Sequence, residues 1–279
     1  MTDAYAKLPQ LADGGAAVIT GGASGIGLAA AHRFARMGLP VVIADLAGDR
    51  LRDAEMALRE TGAKVAAVPT NVSRFEDLER LRDKTQAAFG HVAVLMLNAG
   101  VGLNPGGAWT NLDAWKAQMD VNLWGVIHGA HAFLPAMLEA RRPGFLIVTG
   151  SKQGITTPPG NTAYNVSKAA LRSFTEGLQH ELRNTEGCRI SAHLLVPGFT
   201  YTGITASRVP GKPPAAWTPE EVAEFMLASL AREDFYILCP DNDVTRAMDE
   251  KRMAWAMGDL IENRPALSRW HPAWQDAFE

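Results

Sequence analysis

Ala16-Ala17-Val18-Ile19-Thr20-Gly21-Gly22-Ala23-Ser24-Gly25-Ile26-Gly27 is a short apolar run that breaks at a glycine turn and opens into an amphipathic segment, Ser24–Met37. Strand, glycine turn and helix in that order are the setting in which a backbone can approach a pyrophosphate, with the free N–H groups of the helix start facing it. The spacing here is Gly-x3-Gly-x-Gly, and a glycine turn alone serves equally well as a plain structural bend. The next apolar run, Val41-Val42-Ile43-Ala44, ends at Asp45. That is about 20 residues past the last glycine, where an acid binds the adenosine ribose hydroxyls. A carboxylate there repels a 2′-phosphate, and the following Leu46 brings no cation. The pair of features therefore reads as a dinucleotide site that prefers NAD to NADP.

Working outward, further short apolar runs at Pro40–Asp45, Lys64–Pro69, Val92–Asn98, Phe145–Ser151, Arg189–Pro197 and Phe235–Pro240 join Ala16–Thr20 as seven buried strands. Helical patterns lie between them, at Ser24–Met37, Arg50–Glu60, Phe75–Phe89, Leu112–Ala140, Asn161–Asn184 and Thr218–Ala231. This alternation predicts an α/β fold, a doubly wound parallel sheet of Rossmann type with helices on both faces. Residues 1–240 are expected to form one domain. Within it, Phe199–Trp217 is too long and too rich in Gly, Pro and Thr for an ordinary connection and reads as a substrate lid. Residues 241–279 form a C-terminal extension carrying Trp255, Trp270 and Trp274. It could cap the substrate pocket, brace a second subunit or cover the sheet edge.

Composition excludes several classes. Of 279 residues 47% are hydrophobic, enough for one large buried core, and the net charge of −3 offers no footprint for nucleic acid or an anionic membrane. No stretch approaches the ~20 apolar residues of a membrane span, and no apolar stretch follows Lys7 as a signal peptide would require. Cys188 and Cys239 suggest neither a disulfide framework nor a metal cluster and read as unreactive thiols. A cytoplasmic protein without a metal is expected, and zinc-dependent alcohol oxidation is disfavoured.

Tyr164 and Lys168 stand one helical turn apart, at i and i+4, on a single face. An ammonium there favours the phenolate. The hydroxyl, with an ordinary pKa of ~10, must fall by roughly 3 pH units to act as a base near neutrality. Ser151 lies at the C-terminal end of a buried strand, where ligands bind in open parallel sheets.

Thr20-Gly21-x3-Gly25-x-Gly27, Asn98-Ala99-Gly100, Asn122, Ser151, Tyr164-x3-Lys168 and Pro197-Gly198-x3-Thr202 occur in an order that resembles the compact branch of the short-chain dehydrogenase/reductase family, over roughly residues 14 to 240. The resemblance implies an NAD-dependent oxidoreductase that interconverts a secondary alcohol and a ketone. It implies Tyr164 as acid/base, Ser151 as the group orienting the substrate oxygen, and Lys168 as the residue that lowers the tyrosine pKa and holds the nicotinamide ribose. Asn122 would hold a water linking Lys168 to solvent. Gly21, Ser24, Gly25, Ile26, Gly27, Asp45, Asn71, Val72, Asn98, Ala99, Gly100, Tyr164, Lys168, Pro197, Gly198, Thr200 and Thr202 would line the cofactor. This chain has Asn71 where many members have Asp, Leu97 where many have Asn, and Gly150 where many have Ser. None of these touches the catalytic set.

Val101, Leu103, Thr157 (with Pro158), Phe199, Ile204, Val209 and Trp217 are expected to join Ser151 around the substrate. They are mostly apolar and favour a hydrophobic or aromatic substrate over a sugar. Lys152 reads as a solvent-facing lysine, with a role toward an anionic group as the other possibility. The family also implies a homodimer or homotetramer built on Leu112–Ala140 and Asn161–Asn184. Alternative functions are a 3-oxoacyl-type or steroid ketone reductase, and a non-catalytic NAD-binding protein.

Overall fold

Runs of residues apolar on both faces can be buried only in the middle of three layers, and the computed structural model has that arrangement. It describes residues 8–206 and 211–278. Strands β1 (Ala16–Thr20), β2 (Val41–Asp45), β3 (Val65–Pro69), β4 (Val92–Leu97), β5 (Gly144–Thr149), β6 (Ile190–Val196) and β7 (Tyr236–Leu238) form one sheet in the order 3-2-1-4-5-6-7. Every pairing is parallel, with Val18 beside Val42 on one side and Leu95 on the other. The winding reverses between β1 and β4, which leaves a crevice at their C-terminal ends.

Helices α1 (Gly25–Arg36), α2 (Asp49–Arg59) and α9 (Pro219–Ala231) cover one face, around Phe34, Leu58 and Met226. Helices α3 (Phe75–Phe89), α5 (Gly125–Glu139) and α7 (Thr162–Asn184) cover the other, around Leu81, Phe133 and Leu171. The start of α9 is the capping box its sequence predicts. Thr218 Oγ1 accepts from the Glu221 N–H, and the Glu221 carboxylate accepts from the Thr218 N–H at 2.7 Å.

The segment predicted as one helix over Leu112–Ala140 is broken. It comprises α4 (Leu112–Met119), a π-helical turn at Asp120–Trp124, and α5. One extra residue in that turn rotates α5 relative to α4, a device common at functional sites. Short α6 (Gln153–Thr156) and α8 (Gly203–Ala206) occupy loops. Two described parts of the segment after β6 are joined by a parallel bridge between Thr200 and Trp217. Beyond β7 the chain forms α10 (Arg246–Ile261) and ends in α11 (Gln275–Phe278). No helix among the described residues is long and apolar enough to cross a membrane.

Candidate active site

The glycine turn closes against the next strand end so tightly that side chains are excluded. Gly21 has a φ of +65°, and a Cβ on it would stand 2.9 Å from Ala99 Cα. Gly25, with a φ of +53°, faces Thr202, whose Cγ2 lies 3.4 Å from where its Cβ would be. Thr202 thus hangs over the turn from the far side of the crevice. Ser24 is the N-cap of α1 but its side chain makes no cap hydrogen bond, so it leaves the first-turn N–H groups of Gly25, Ile26 and Gly27 to an outside acceptor. Asp45 accepts from Ala23 N at 3.1 Å and from Leu46 N at 2.9 Å, which holds its carboxylate beside the turn. A cradle without Cβ atoms, an open helix start and an acid at the next strand end fit a dinucleotide. Asn71 is bound locally, its Oδ1 accepting from Ser73 N and Ser73 Oγ. Its own N–H donates to Asp77, the first cause of that carboxyl lying below its ordinary pKa range. Val72 packs against Gly125, where a Cβ would come within 2.7 Å of Val72 Cγ2.

Three strand ends are laced together by polar side chains. Asn98 Nδ2 donates to Thr20 O at 3.1 Å, its N–H donates to Thr20 Oγ1 at 3.0 Å, and its Oδ1 accepts from Thr149 Oγ1 at 3.1 Å. From α7, Lys168 Nζ reaches the same place and donates to Thr149 O at 2.8 Å. Burial pushes the Lys168 ammonium down to a pKa of about 8. Its Nζ lies 5.7 Å from the centroid of the Tyr164 ring, the predicted i, i+4 pairing. Tyr164 itself is placed by Asn161, the N-cap of α7, whose Oδ1 accepts from Tyr164 N.

Asn122 lies in the π-helical turn and is fully buried. Its carboxamide grips the backbone of Val101, accepting from Val101 N at 2.8 Å and donating to Val101 O at 3.0 Å, and also donates to Ser167 Oγ at 3.2 Å. With these bonds made, the carboxamide braces the Asn98–Val101 segment. A Cβ on Gly100 would lie 3.4 Å from Asn122 Oδ1 and 3.8 Å from Lys168 Nζ, so the absence of a side chain keeps this corner open.

Ser151 lies just beyond β5, in a turn where its Oγ accepts from Gln153 N. The next residue corrects the sequence reading. Lys152 is half-buried, and its Nζ lies 2.6 Å from Asp249 and 3.2 Å from Asp241. Asp241 also accepts from Phe199 N, beside Pro197-Gly198. Both acids come from the extension, whose contribution no local pattern around Lys152 could disclose. Removing the cation by Lys152→Met strands two buried carboxylates. The expected loss is about 3–5 kcal/mol of unfolding free energy, with Lys152→Arg losing much less. Urea midpoints for the two variants test this; equal losses would mean the charge is not what matters.

The expected substrate walls divide. Val101 is half-buried, Leu103, Phe199 and Ile204 expose their side chains, and Thr157 takes a left-handed conformation with a φ of +43° after α6. Asn161 Nδ2 donates to Leu103 O and ties that loop to α7. Trp217 turns instead toward the core, packs edge-on against Phe225 at 5.8 Å and donates to Asn242. The packing of α9 claims it before a substrate could. Val209 lies outside the described residues. Thr200, bonded through its Oγ1 to Gly198 O, is buried. Sequence reasoning passed over Thr149, although a threonine closing β5 beside a threonine closing β1 was the visible signal. Cys239 is buried with its thiol pushed up to about 12, and Cys188 is half-buried; both are free thiols, in keeping with an inert reading.

Comparison with known proteins bears on this geometry. A family model described as short chain dehydrogenase matches residues 15–213. The 1-deoxy-11-beta-hydroxypentalenate dehydrogenase of Streptomyces exfoliatus is 36% identical over 262 residues, which cover 91% of this chain and 94% of that protein. A short-chain dehydrogenase/reductase from Burkholderia phymatum, solved with NAD, superposes with a TM-score of 0.81 at 32% identity, covering 90% of this chain and 95% of the other. An alcohol dehydrogenase from Thermococcus sibiricus, solved with 5-hydroxy-NADP, gives a TM-score of 0.70 at 30% identity, covering 77% and 90%.

Proposed function

The chain belongs to the short-chain dehydrogenase/reductase family, and from that premise we propose that this oxidoreductase interconverts a secondary alcohol and its ketone with NAD. The observation that carries the reading is the buried Lys168 ammonium, bonded to Thr149 O and set beside the Tyr164 ring, with Ser151 in the turn that follows the same strand.

A bound nicotinamide dinucleotide supplies the hydride acceptor in oxidation and the donor in reduction. The chain's own residues do the rest. Tyr164 removes the proton from the substrate hydroxyl in oxidation and returns it in reduction. Lys168 stabilises the phenolate through its charge, and burial strengthens that interaction. Ser151 holds the substrate oxygen by a hydrogen bond. Asn122 keeps Val101 in place at the edge of the site, and Asn98 keeps the ends of β1, β4 and β5 in one register. The result is orientation plus a tuned acid/base.

The preference for NAD rests on Asp45. Its carboxylate is held beside the glycine turn by two backbone N–H groups, where a 2′-phosphate meets like charge. The solved relatives hold both NAD and an NADP derivative, so the choice falls to this residue. Asp45→Ser should lower the ratio of kcat/KM with NAD to that with NADP at least tenfold, about 1.4 kcal/mol. An unchanged ratio would locate the preference elsewhere.

A hydrophobic substrate is supported by the exposed Leu103, Phe199 and Ile204, the first on a loop tied to α7 by Asn161, and by a relative named as a 1-deoxy-11-beta-hydroxypentalenate dehydrogenase. Exposed Trp109, Leu112, Trp124 and Val166 on α4, the π-helical turn, α7 and the loop before α4 support a homo-oligomer joined through those elements. The test of the whole reading is a panel of aryl alcohols, steroids and polyols with NAD and with NADP, followed at the nicotinamide absorbance. Turnover of none of them, or of polyols alone, overturns it.

A further inference from the structure

The C-terminal extension builds a small core of its own. Arg264 stacks on Trp255 at 4.1 Å, pairs with Asp259 at 3.2 Å and donates to Trp255 O at 2.7 Å. Ser268 completes it, receiving from Trp255 Nε1 and bonding Asp259 through both its N–H and its hydroxyl. Beside this core, where α10 meets the end of α6, is a narrow cleft whose lining includes Thr156, Arg252, Leu267, Arg269 and Trp270.

The charge in that cleft is unbalanced. Asp259 is on its wall, but its carboxylate is already committed to Arg264 and Ser268. Arg252 Nε is buried with no hydrogen-bond partner. Arg269 lies against the rings of Trp270 and Phe278, at 4.7 and 4.9 Å, and has no carboxylate partner among the described residues. Burial, and then the neighbouring charge of Arg252, depress its pKa. Two guanidinium groups pressed together by apolar walls, one with an unused buried donor, carry an electrostatic cost that a bridging anion removes. The cleft holds about 10 Å³, room for one water-sized group, so a carboxylate oxygen enters it and the rest of the molecule stays outside.

The cleft is also near the chemistry. Ser151 leads through one turn into α6, with Gly154 N donating to Ser151 O and Thr156 N to Lys152 O. Five residues at a helical rise separate Ser151 from Thr156 by roughly 8 Å. Lys152, held by Asp249 of α10, fastens the two sides of the cleft to one another.

We propose that Arg252 and Arg269 form a carboxylate subsite, and that the substrate is a hydroxy acid or keto acid with a rigid hydrophobic skeleton, its carbinol at Ser151 and Tyr164 and its carboxylate in this cleft. This rests on the catalytic reading of Ser151 and Tyr164 above and gives the extension a reason to be there.

The test compares acid with ester. The probes are 4-(1-hydroxyethyl)benzoate and its biphenyl homologue, each against its methyl ester, with neutral 1-phenylethanol as reference. The parent protein should prefer acid to ester at least tenfold in kcat/KM, mainly through KM. In Arg252→Met/Arg269→Met that preference should fall at least tenfold, and Arg252→Lys/Arg269→Lys should recover part of it. A preference unchanged by the Met pair, or a parent that favours the esters, overturns the proposal. A separate arm needs no turnover: benzoate should raise the Tm of the parent and not that of the Met pair. If no alcohol reacts but benzoate still distinguishes the two proteins, the subsite stands and the enzymatic reading fails. If 1-phenylethanol reacts and benzoate shifts both Tm values equally, the reverse holds.

Discussion

Tyr164→Phe should lower kcat by about 10³-fold or more while leaving the dissociation constant for NAD within about twofold of the parent. General acid/base catalysis is worth roughly 10²–10⁴-fold. The substitution is conservative everywhere except at the oxygen. The ring stays beside Lys168, Asn161 still accepts from the backbone N–H at 164, and Ser167 still donates to the carbonyl there. On the proposed reading cofactor affinity comes mainly from the glycine turn, Asp45 and the Asn98 lacing, which the change does not reach. Steady-state kinetics and a cofactor titration measured on the same preparation separate the two effects. Turnover near the parent's would exclude the phenol as the proton-transfer group.

Lys168→Met should abolish most activity and yet change how stability depends on pH in the direction opposite to simple damage. In the folded chain burial holds the ammonium at a pKa of about 8, against an ordinary 10.5. Below pH 8 both folded and unfolded chains carry the charge, and the folded one bears the burial penalty. As pH rises from about 8 toward 10.5 the folded chain sheds its proton first. The unfolded state then binds more protons, so the stability of the parent rises by about 3 kcal/mol from this group. Methionine has no proton to lose. The stability of the variant relative to the parent should therefore be greatest below pH 8 and decline by about that amount by pH 10.5. Titrations common to both proteins cancel in the difference. Loss of the donor to Thr149 O costs about 1–3 kcal/mol at every pH and offsets the gain near neutrality. Urea denaturation of both proteins at pH 7 and pH 10 gives the comparison. An identical gap at the two pH values would mean that the lysine is not held in a desolvated site.

Both effects trace to one arrangement, a cation kept out of water so that its field acts on a neighbouring phenol. The same burial that makes Lys168 costly to the fold makes it useful to Tyr164, since a solvated ammonium would be screened.

Much of this was legible in the chain alone, and for a local reason. The strand–turn–helix at 16–36, the acid closing β2 and the Tyr164–Lys168 pair each depend on residues within about one helical turn or one strand of each other, where spacing dictates geometry. Alternating apolar runs likewise implied the parallel sheet, because a strand apolar on both faces must be covered on both. What the tertiary structure alone decided involves partners far apart in sequence. Lys152 and Asp241 meet across 89 residues, and nothing near Lys152 marks it for an ion pair. The continuous apolar pattern over Leu112–Ala140 concealed the π-helical turn, since one extra residue shifts the register without changing the composition. Trp217 looked like a pocket wall until the packing of α9 took it. Arg252 and Arg269 are ordinary surface cations in a linear reading; the chain's path around α6 and α10 is what brings them together, with no carboxylate paired to either among the described residues.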